Sequence, residues 1–198
     1  HTGNLDPRID YTIARRGVDF NGFGVFTGKE NIRASFTDIS GPYMTKKNFY
    51  TSGDDSNRGT GGWGEQRTGI NYHIIRYADV LLMAAEAAAE SGNLEKARGY
   101  VNQVRSRAKN SPTADSGPNY VIDTYNSAWT DVSAARTAVR HERRIELGVE
   151  GHRLFDLRRW GNLVETLNTY IGHEGRTIPP FASRVNTVSS KHNTLPIP

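Results

Sequence analysis

The densest cluster of residues that could do chemistry lies between residues 138 and 161, where acidic and basic side chains alternate. The charged residues there are Glu142, Glu146, Glu150 and Asp156, and Arg140, Arg143, Arg144, Arg153, Arg158 and Arg159. Two carboxylates can serve as the acid and base of a glycoside hydrolase. A general acid needs a raised pKa, however, whereas nearby guanidinium groups lower the pKa of a carboxylate. The pattern favours ion pairs, and the sequence alone leaves a hydrolase open.

Aromatic and aliphatic residues are interspersed among these charges, which indicates a partly buried network rather than a solvated face. Arginine pairs with carboxylates in a fixed and often bidentate geometry. We therefore predict that this region holds helices together, with Trp160 in its core. The residues with this predicted structural role are Glu142, Arg143, Arg144, Glu146, Glu150, Arg153, Asp156, Arg158 and Trp160.

Other motifs that resemble known sites lack the context their chemistry needs. The glycines at 59–64 match a dinucleotide fingerprint, but no strand precedes them and no helix follows. A calcium-type loop starting at Asp54 would place the cation of Arg58 where an oxygen ligand belongs. The sequence at His141 begins like a zinc-protease helix, but Ile145 replaces the second histidine. We predict no metal, no cofactor and no enzyme activity.

Aromatic side chains on loops are the remaining candidates for ligand binding. Trp63 lies in a polar, Gly-rich loop, and Tyr43 and Tyr50 precede it. Sugar rings stack their C–H faces on aromatic rings, which combine an apolar face with a polar tip. Such a side chain either contacts a ligand or anchors its loop on the protein body. Both interpretations stay open for Trp63.

Hydrophobic spacing predicts the helices that position these residues. The first helix is predicted over 71–90, with Ile74 opening its apolar face, and the second over 94–108. Gly92 and Asn93 between them suit a helix end and an N-cap. The pair spans about 35 residues, close to a tetratricopeptide repeat. Because one such repeat cannot bury its faces alone, we expect further helices to pack on it.

Composition divides the rest of the chain into loops, a linker and a second helical region. Brief extended pieces are predicted near 10–14 and 48–51. The predicted division is a loop-rich excursion at 1–70, the helix pair at 71–108, a linker at 109–130, signature helices at 131–171 and a terminal loop at 172–198. The signature helices are predicted over 133–149, 153–160 and 162–171, with Asp131 or Ser133 as the first cap. The expected fold class is mainly α.

Overall charge gives little support to a nucleic-acid partner. The net charge is +4 and the pI is about 9.4, with 25 Lys and Arg against 21 Asp and Glu. These charges are interspersed, whereas a nucleic-acid face concentrates positive charge on one surface. The chain has no cysteine, which excludes disulfides and thiolate metal sites. No apolar run approaches the ~20 residues of a membrane span.

The stretch from Glu142 to Gly161, ERRIELGVEGHRLFDLRRWG, strongly resembles the C-terminal signature of the SusD/RagB family. Further motifs occur in the order that the family shows. They are Asn4-Leu-Asp-Pro-Arg8, Gly41-Pro-Tyr43, Asn71-Tyr72, Ile75 to Met83 with Ala85-Glu86, and Leu195-Pro-Ile-Pro198. The resemblance covers essentially the whole chain, which looks like the C-terminal portion of such a protein.

This resemblance implies a SusD-like α-α superhelix and a non-catalytic role in polysaccharide utilisation. It implies a surface-exposed outer-membrane lipoprotein that binds oligosaccharide and delivers it to a SusC-like TonB-dependent transporter. The membrane would be reached only through a lipid anchor outside this segment. Sugar-contacting aromatics of the family lie largely upstream, so the resemblance implies the fold and transporter more strongly than a binding site. The rival interpretation is a tetratricopeptide-type protein-interaction scaffold without a glycan role.

Overall fold

The computed structural model describes residues 3–28, 30, 43–54, 59, 68–113, 119–178, 181 and 187–194. The elements in these ranges are β1 (Asn4–Leu5), α1 (Ile9–Thr12), β2 (Ile13–Ala14), β3 (Met44–Thr45), α2 (Tyr77–Glu90), α3 (Leu94–Lys109), β4 (Asn119–Tyr120), α4 (Val132–Glu146), α5 (His152–Arg159), α6 (Leu163–Thr177) and a 3-10 turn, Ser190–Asn193. Helices dominate this part of the chain, and its strands are each two residues long. The predicted mainly α class is confirmed.

Helices α2 and α3 form the predicted antiparallel hairpin. Gly92 adopts a left-handed φ of 81° after α2, and the Asn93 side chain accepts a hydrogen bond from the Lys96 amide. At the start of α4, Asp131 caps the helix in the same way by accepting from the Ala134 amide at 2.6 Å. These side chains satisfy amides that the first turn of a helix leaves without partners.

The main hydrophobic core lies where α2, α3 and α4 meet. Its buried residues are Leu81, Leu82 and Ala85 from α2, Val101 and Val104 from α3, Val139 from α4, and Leu147 just beyond it. A second cluster of alanines continues the contact toward the hairpin turn, through Ala88, Ala89, Ala97 and Ala135. Trp129 packs against both clusters. The small alanines let α2 approach α3 and α4 closely.

Two short strand pairs attach the N-terminal segment to distant parts of the chain. β1 is parallel to β4, with Leu5 opposite Tyr120. β2 is antiparallel to β3, with Ala14 opposite Met44. The N-terminal segment, residues 4–14, is therefore paired with the linker through β4 and with a later part of the excursion through β3.

The first predicted helix starts later than expected. Residues 71–76 are not helical, and Ile74 is 76% exposed rather than buried. Arg76 takes an extended backbone conformation directly before α2. Its guanidinium reaches Glu146 and Glu150, and this tertiary contact outweighs the helical spacing of the sequence.

Other boundaries also differ from the predictions. α4 ends at Glu146 rather than at 149, and the expected extended piece at 10–14 begins as the short helix α1. α6 continues to Thr177, so the terminal loop does not start at Gly172. A helical glycine costs only about 1 kcal/mol relative to alanine. Asn168 of α6 exchanges two hydrogen bonds with the Val188 backbone, at 2.9 and 2.8 Å.

Among the described residues, no helix is both long and apolar enough to span a bilayer. The same part of the chain holds no cluster of three or more acidic, histidine or cysteine side chains placed to bind a metal.

Candidate functional site

Glu142 lies at the centre of an ion-pair network and is completely buried. One of its carboxylate oxygens accepts from Arg8 Nη1 at 2.6 Å, and the other accepts from Arg105 Nη1 at 2.9 Å. Arg8 also forms a two-pronged pair with Asp6. One carboxylate of α4 thus joins the N-terminal segment to α3.

Glu146, one turn further along α4, receives three arginines. Its carboxylate accepts from Arg76 Nη1 at 2.6 Å, from Arg107 Nη2 at 2.7 Å and from Arg8 Nη1 at 3.0 Å. Burial alone would raise the pKa of Glu146. The hydrogen bond and charge of Arg76, together with the charge of Arg107, outweigh burial and lower the pKa below its ordinary value.

Glu150 follows in the turn after α4 and ties the excursion to the network. It accepts from Lys47 Nζ at 2.5 Å and from Arg76 Nε at 2.7 Å. Its backbone carbonyl accepts from the Tyr72 hydroxyl at 3.0 Å. Burial again opposes ionisation, but the hydrogen bonds of Arg76 and Lys47 lower the pKa of Glu150.

Arg143 makes a second, separate bridge on a neighbouring face of α4. Its Nη1 donates to Asp79 of α2 at 2.8 Å, and its Nε donates to Asp156 of α5 at 3.0 Å. All three side chains are buried. This buried bridge fixes α2, α4 and α5 relative to one another.

Trp160 makes a hydrogen bond through its indole N–H and a cation–π contact through its ring. Its indole N–H donates to Glu86 at 2.8 Å, and Glu86 also pairs with Arg159 at 2.6 Å. The guanidinium of Arg140 lies 4.7 Å from the centroid of the indole ring, within cation–π range. Trp160 is therefore held by charged groups on its edge and face.

An open cleft of about 470 Å³ borders the Glu142–Glu150 network. Glu146 and Glu150 form part of its wall, and Tyr11, Tyr72 and His73 also line it. Both glutamates are engaged by cationic groups and have lowered pKa values. A general acid needs the opposite shift, so these two carboxylates are not suited to glycosidic acid catalysis.

Of the three aromatic candidates, Tyr50 lies in a cluster of rings in the excursion. It stacks on Phe49 with centroids 4.9 Å apart and meets Phe23 edge-on at 5.6 Å. Phe23 is 50% exposed and was not singled out by the sequence. Tyr43 is half exposed and makes no ring contact with the described residues. Trp63 lies outside the described residues.

A sequence model described as the SusD family matches residues 1–194 of the chain. The chain belongs to the SusD family. It is similar to a SusD-like protein of Formosa agariphila, with 32% identity over 162 residues, which cover 81% of this chain and 25% of the relative. A second SusD-like protein of that organism is 36% identical over 102 residues, covering 52% of this chain and 19% of the relative. This SusD-family chain thus spans a quarter or less of these relatives.

Solved SusD-family structures share the helical architecture. A SusD-like carbohydrate binding protein of Bacteroides fragilis has 29% identity and a TM-score of 0.55, over 82% of this chain and 30% of that protein. A SusD homolog of Bacteroides thetaiotaomicron has 25% identity and a TM-score of 0.59, over 95% of this chain and 35% of that protein.

Three of the SusD-family signature arginines lie outside the carboxylate network. Arg158 donates from Nε to the His192 carbonyl at 3.0 Å and so holds the 3-10 turn against α5. Arg144 and Arg153 make no ion pair with a carboxylate anywhere in the described ranges, and both line a separate cleft.

Several cations of the network were missed by the sequence analysis because they lie far from the signature in the chain. They are Arg8, Lys47, Arg76, Arg105 and Arg107. Arg8 and Arg76 do fall inside the shorter motifs that carry the SusD resemblance. Those motifs were the available signal, since helical spacing says nothing about partners from other segments.

Proposed function

We propose that this chain is part of a non-catalytic glycan-binding protein of the bacterial cell surface. Membership of the SusD family is the observation that carries the proposal. One solved relative is described as a carbohydrate binding protein. On the same basis, the whole protein delivers oligosaccharide to a SusC-like TonB-dependent transporter. On this proposal it is a surface-exposed lipoprotein.

The aromatic cluster of the excursion is the best candidate for a sugar platform. Phe23 and Tyr50 meet edge to face, and Phe23 leaves half of its surface open to solvent. Exposed aromatic faces supply apolar area for the C–H side of a sugar ring. Tyr43 and Trp63, from the same excursion, remain proposed ligand contacts.

The contacts of the signature carboxylates support a non-catalytic role. Glu142, Glu146 and Asp156 are buried and bound by guanidinium groups. Glu150 is bound by Lys47 and Arg76. A hydrolase of the usual type needs one carboxylic acid protonated near neutral pH, whereas the contacts of Glu146 and Glu150 lower the pKa of both side chains.

Calorimetric titration of the chain with a panel of oligosaccharides tests glycan binding. We expect saturable binding of at least one glycan, about threefold to tenfold weaker in Phe23→Ala because a stacking face is lost. Phe155→Ala is the matched control, since Phe155 is also exposed but lies on α5. Silence across the panel contradicts glycan binding, and release of reducing ends contradicts the non-catalytic role.

A protein-interaction scaffold is the second candidate, because the outward face of α2 is apolar. Tyr77, Val80 and Met83 recur every three residues and are 72%, 43% and 45% exposed. Such a stripe suits the docking of another helix. This function gains support if the glycan panel is silent while Val80→Asp abolishes binding to a helical partner.

A further inference from the structure

A second cleft, of about 360 Å³, opens between the end of α4, the turn at 147–151, α5 and α6. Its volume is at the lower end of the range of small-molecule sites, about 300–1,000 Å³. Its wall includes Arg144, Arg153, Asp156, Leu147, Val149 and Tyr170.

Two cations in this cleft lack a carboxylate partner within the described ranges. Arg144 and Arg153 both line it. Arg143, next to Arg144 in sequence, instead bridges Asp79 and Asp156. Asp156 is the carboxylate of the cleft, and its two oxygens already accept from Arg143 and Arg159. Asp156 attracts Arg153 electrostatically without forming an ion pair with it, so the positive charge of Arg144 and Arg153 is compensated only in part.

The same two cations repel each other. Burial lowers the pKa of Arg153, and the charge of Arg144 lowers it further. A fold that holds two like charges in one partly enclosed space gains from any anion that enters it. The positive charge of the cleft and its partly enclosed shape both favour an anionic ligand.

The turn that borders the cleft has a strained backbone. Val149 has a φ of 59°, a left-handed conformation that is unfavourable for a β-branched residue. It is 54% exposed and lines the cleft. Strain of this kind persists only where the surrounding structure enforces it, and it is concentrated at ligand sites.

The remaining wall is apolar on one side and aromatic on another. Leu147 and Leu157 are buried, Leu167 lies beside them, and Tyr170 is 52% exposed. A ligand for this cleft therefore needs an anionic group and a compact body with an apolar face. We propose that the cleft binds an acidic sugar residue, with its carboxylate held by Arg144 and Arg153 and its ring against Tyr170. This inference rests on the proposed glycan binding and names the sugar class.

Titration calorimetry with glucuronate and with glucose, its neutral counterpart, tests the proposal. We expect saturable glucuronate binding that weakens with added salt, and no measurable glucose binding at the same concentrations. Arg153→Gln and Arg144→Gln should each weaken glucuronate at least about tenfold, since each removes a charge-assisted hydrogen bond. Arg176→Gln is the control, because Arg176 is exposed at the end of α6 outside the cleft.

The outcomes separate this inference from the wider function. Equal affinity for glucuronate and glucose, or unchanged affinity in both cleft variants, overturns the acidic-sugar site. If neutral oligosaccharides still bind in that case, the proposed glycan binding stands. A lower melting temperature with unchanged affinity in Arg153→Gln would assign the arginines to a contact with another protein segment, which also overturns the proposal. Arg144, which is exposed, provides a variant whose folding is less at risk.

Discussion

At the scale of single residues, Glu146 and Glu150 of the network are stabilised in their ionised form. Burial alone would favour the neutral acid at Glu146 and Glu150. Arg76 donates to both, at 2.6 and 2.7 Å, and the balance lowers both pKa values. Charge-assisted hydrogen bonds of this length are about twice as strong as neutral ones. Each glutamate therefore contributes to folding only while it is charged.

The sign of the resulting pH dependence is set by these lowered values. The folded-state pKa of each glutamate lies below its ordinary value of 4.5, so the unfolded chain takes up protons first as the pH falls. The stability that these two glutamates contribute is present above pH 4.5 and is lost as the pH drops through their folded-state pKa values. Urea denaturation at a series of pH values between 7 and 3 measures this.

Glu150→Gln is the matching control for that experiment. The variant removes one titrating group, so its stability should fall less steeply below pH 4.5 than that of the wild type. An identical pH dependence in both proteins would show that the ion pairs of Glu150 do not contribute to acid sensitivity.

The partners of individual residues could be predicted only in part. The alternation of charges predicts arginine–carboxylate pairs within the signature, and Arg143 pairs there with Asp156. The other contact of Arg143, with Asp79, spans 64 positions. Helical spacing describes neighbours on one helix face, so it carries no information about such contacts.

At the scale of elements, Arg143 connects three helices through one guanidinium. We expect Arg143→Lys to lower the free energy of unfolding by about 2–4 kcal/mol, because an ammonium cannot reproduce the two divergent hydrogen bonds in a buried site. Arg136→Lys, in the exposed pair with Glu90, should change stability little. Equal losses in the two variants, measured by urea denaturation, would contradict the bridging role.

Trp63 belongs to the excursion, and replacing it distinguishes a ligand contact from a loop anchor. If Trp63 contacts glycan, Trp63→Ala weakens binding in calorimetry and leaves the melting temperature nearly unchanged. A large fall in melting temperature would instead identify it as an anchor, since removing a packed tryptophan costs about 3–5 kcal/mol.

The presence of the helices could be predicted more accurately than the residues at which they begin and end. The α2–α3 pair and its caps follow from apolar spacing and from the Gly92-Asn93 turn, which are local signals. The start of α2 at Tyr77 depends on the tertiary contacts of Arg76. The extension of α6 past Gly172 was likewise not predictable, because its two glycines, Gly172 and Gly175, cost less than a helix with tertiary support gains.

At the scale of the whole molecule, the network joins segments that are far apart in the chain. Glu146 binds Arg8, Arg76 and Arg107, at sequence separations of 138, 70 and 39 residues. The N-terminal segment, the α2–α3 hairpin and α4 therefore share one buried carboxylate. This arrangement holds three distant segments together in a chain with a small hydrophobic core and long loops.

The free energy of unfolding of Glu146→Gln is the most direct test of this account. We expect urea denaturation to show a loss of about 3–5 kcal/mol, because three guanidinium groups lose a buried counter-charge. Glu90→Gln, in an exposed pair with Arg136, should change stability little. We expect a large loss in the first variant only. A Glu146→Gln protein as stable as Glu90→Gln would contradict it.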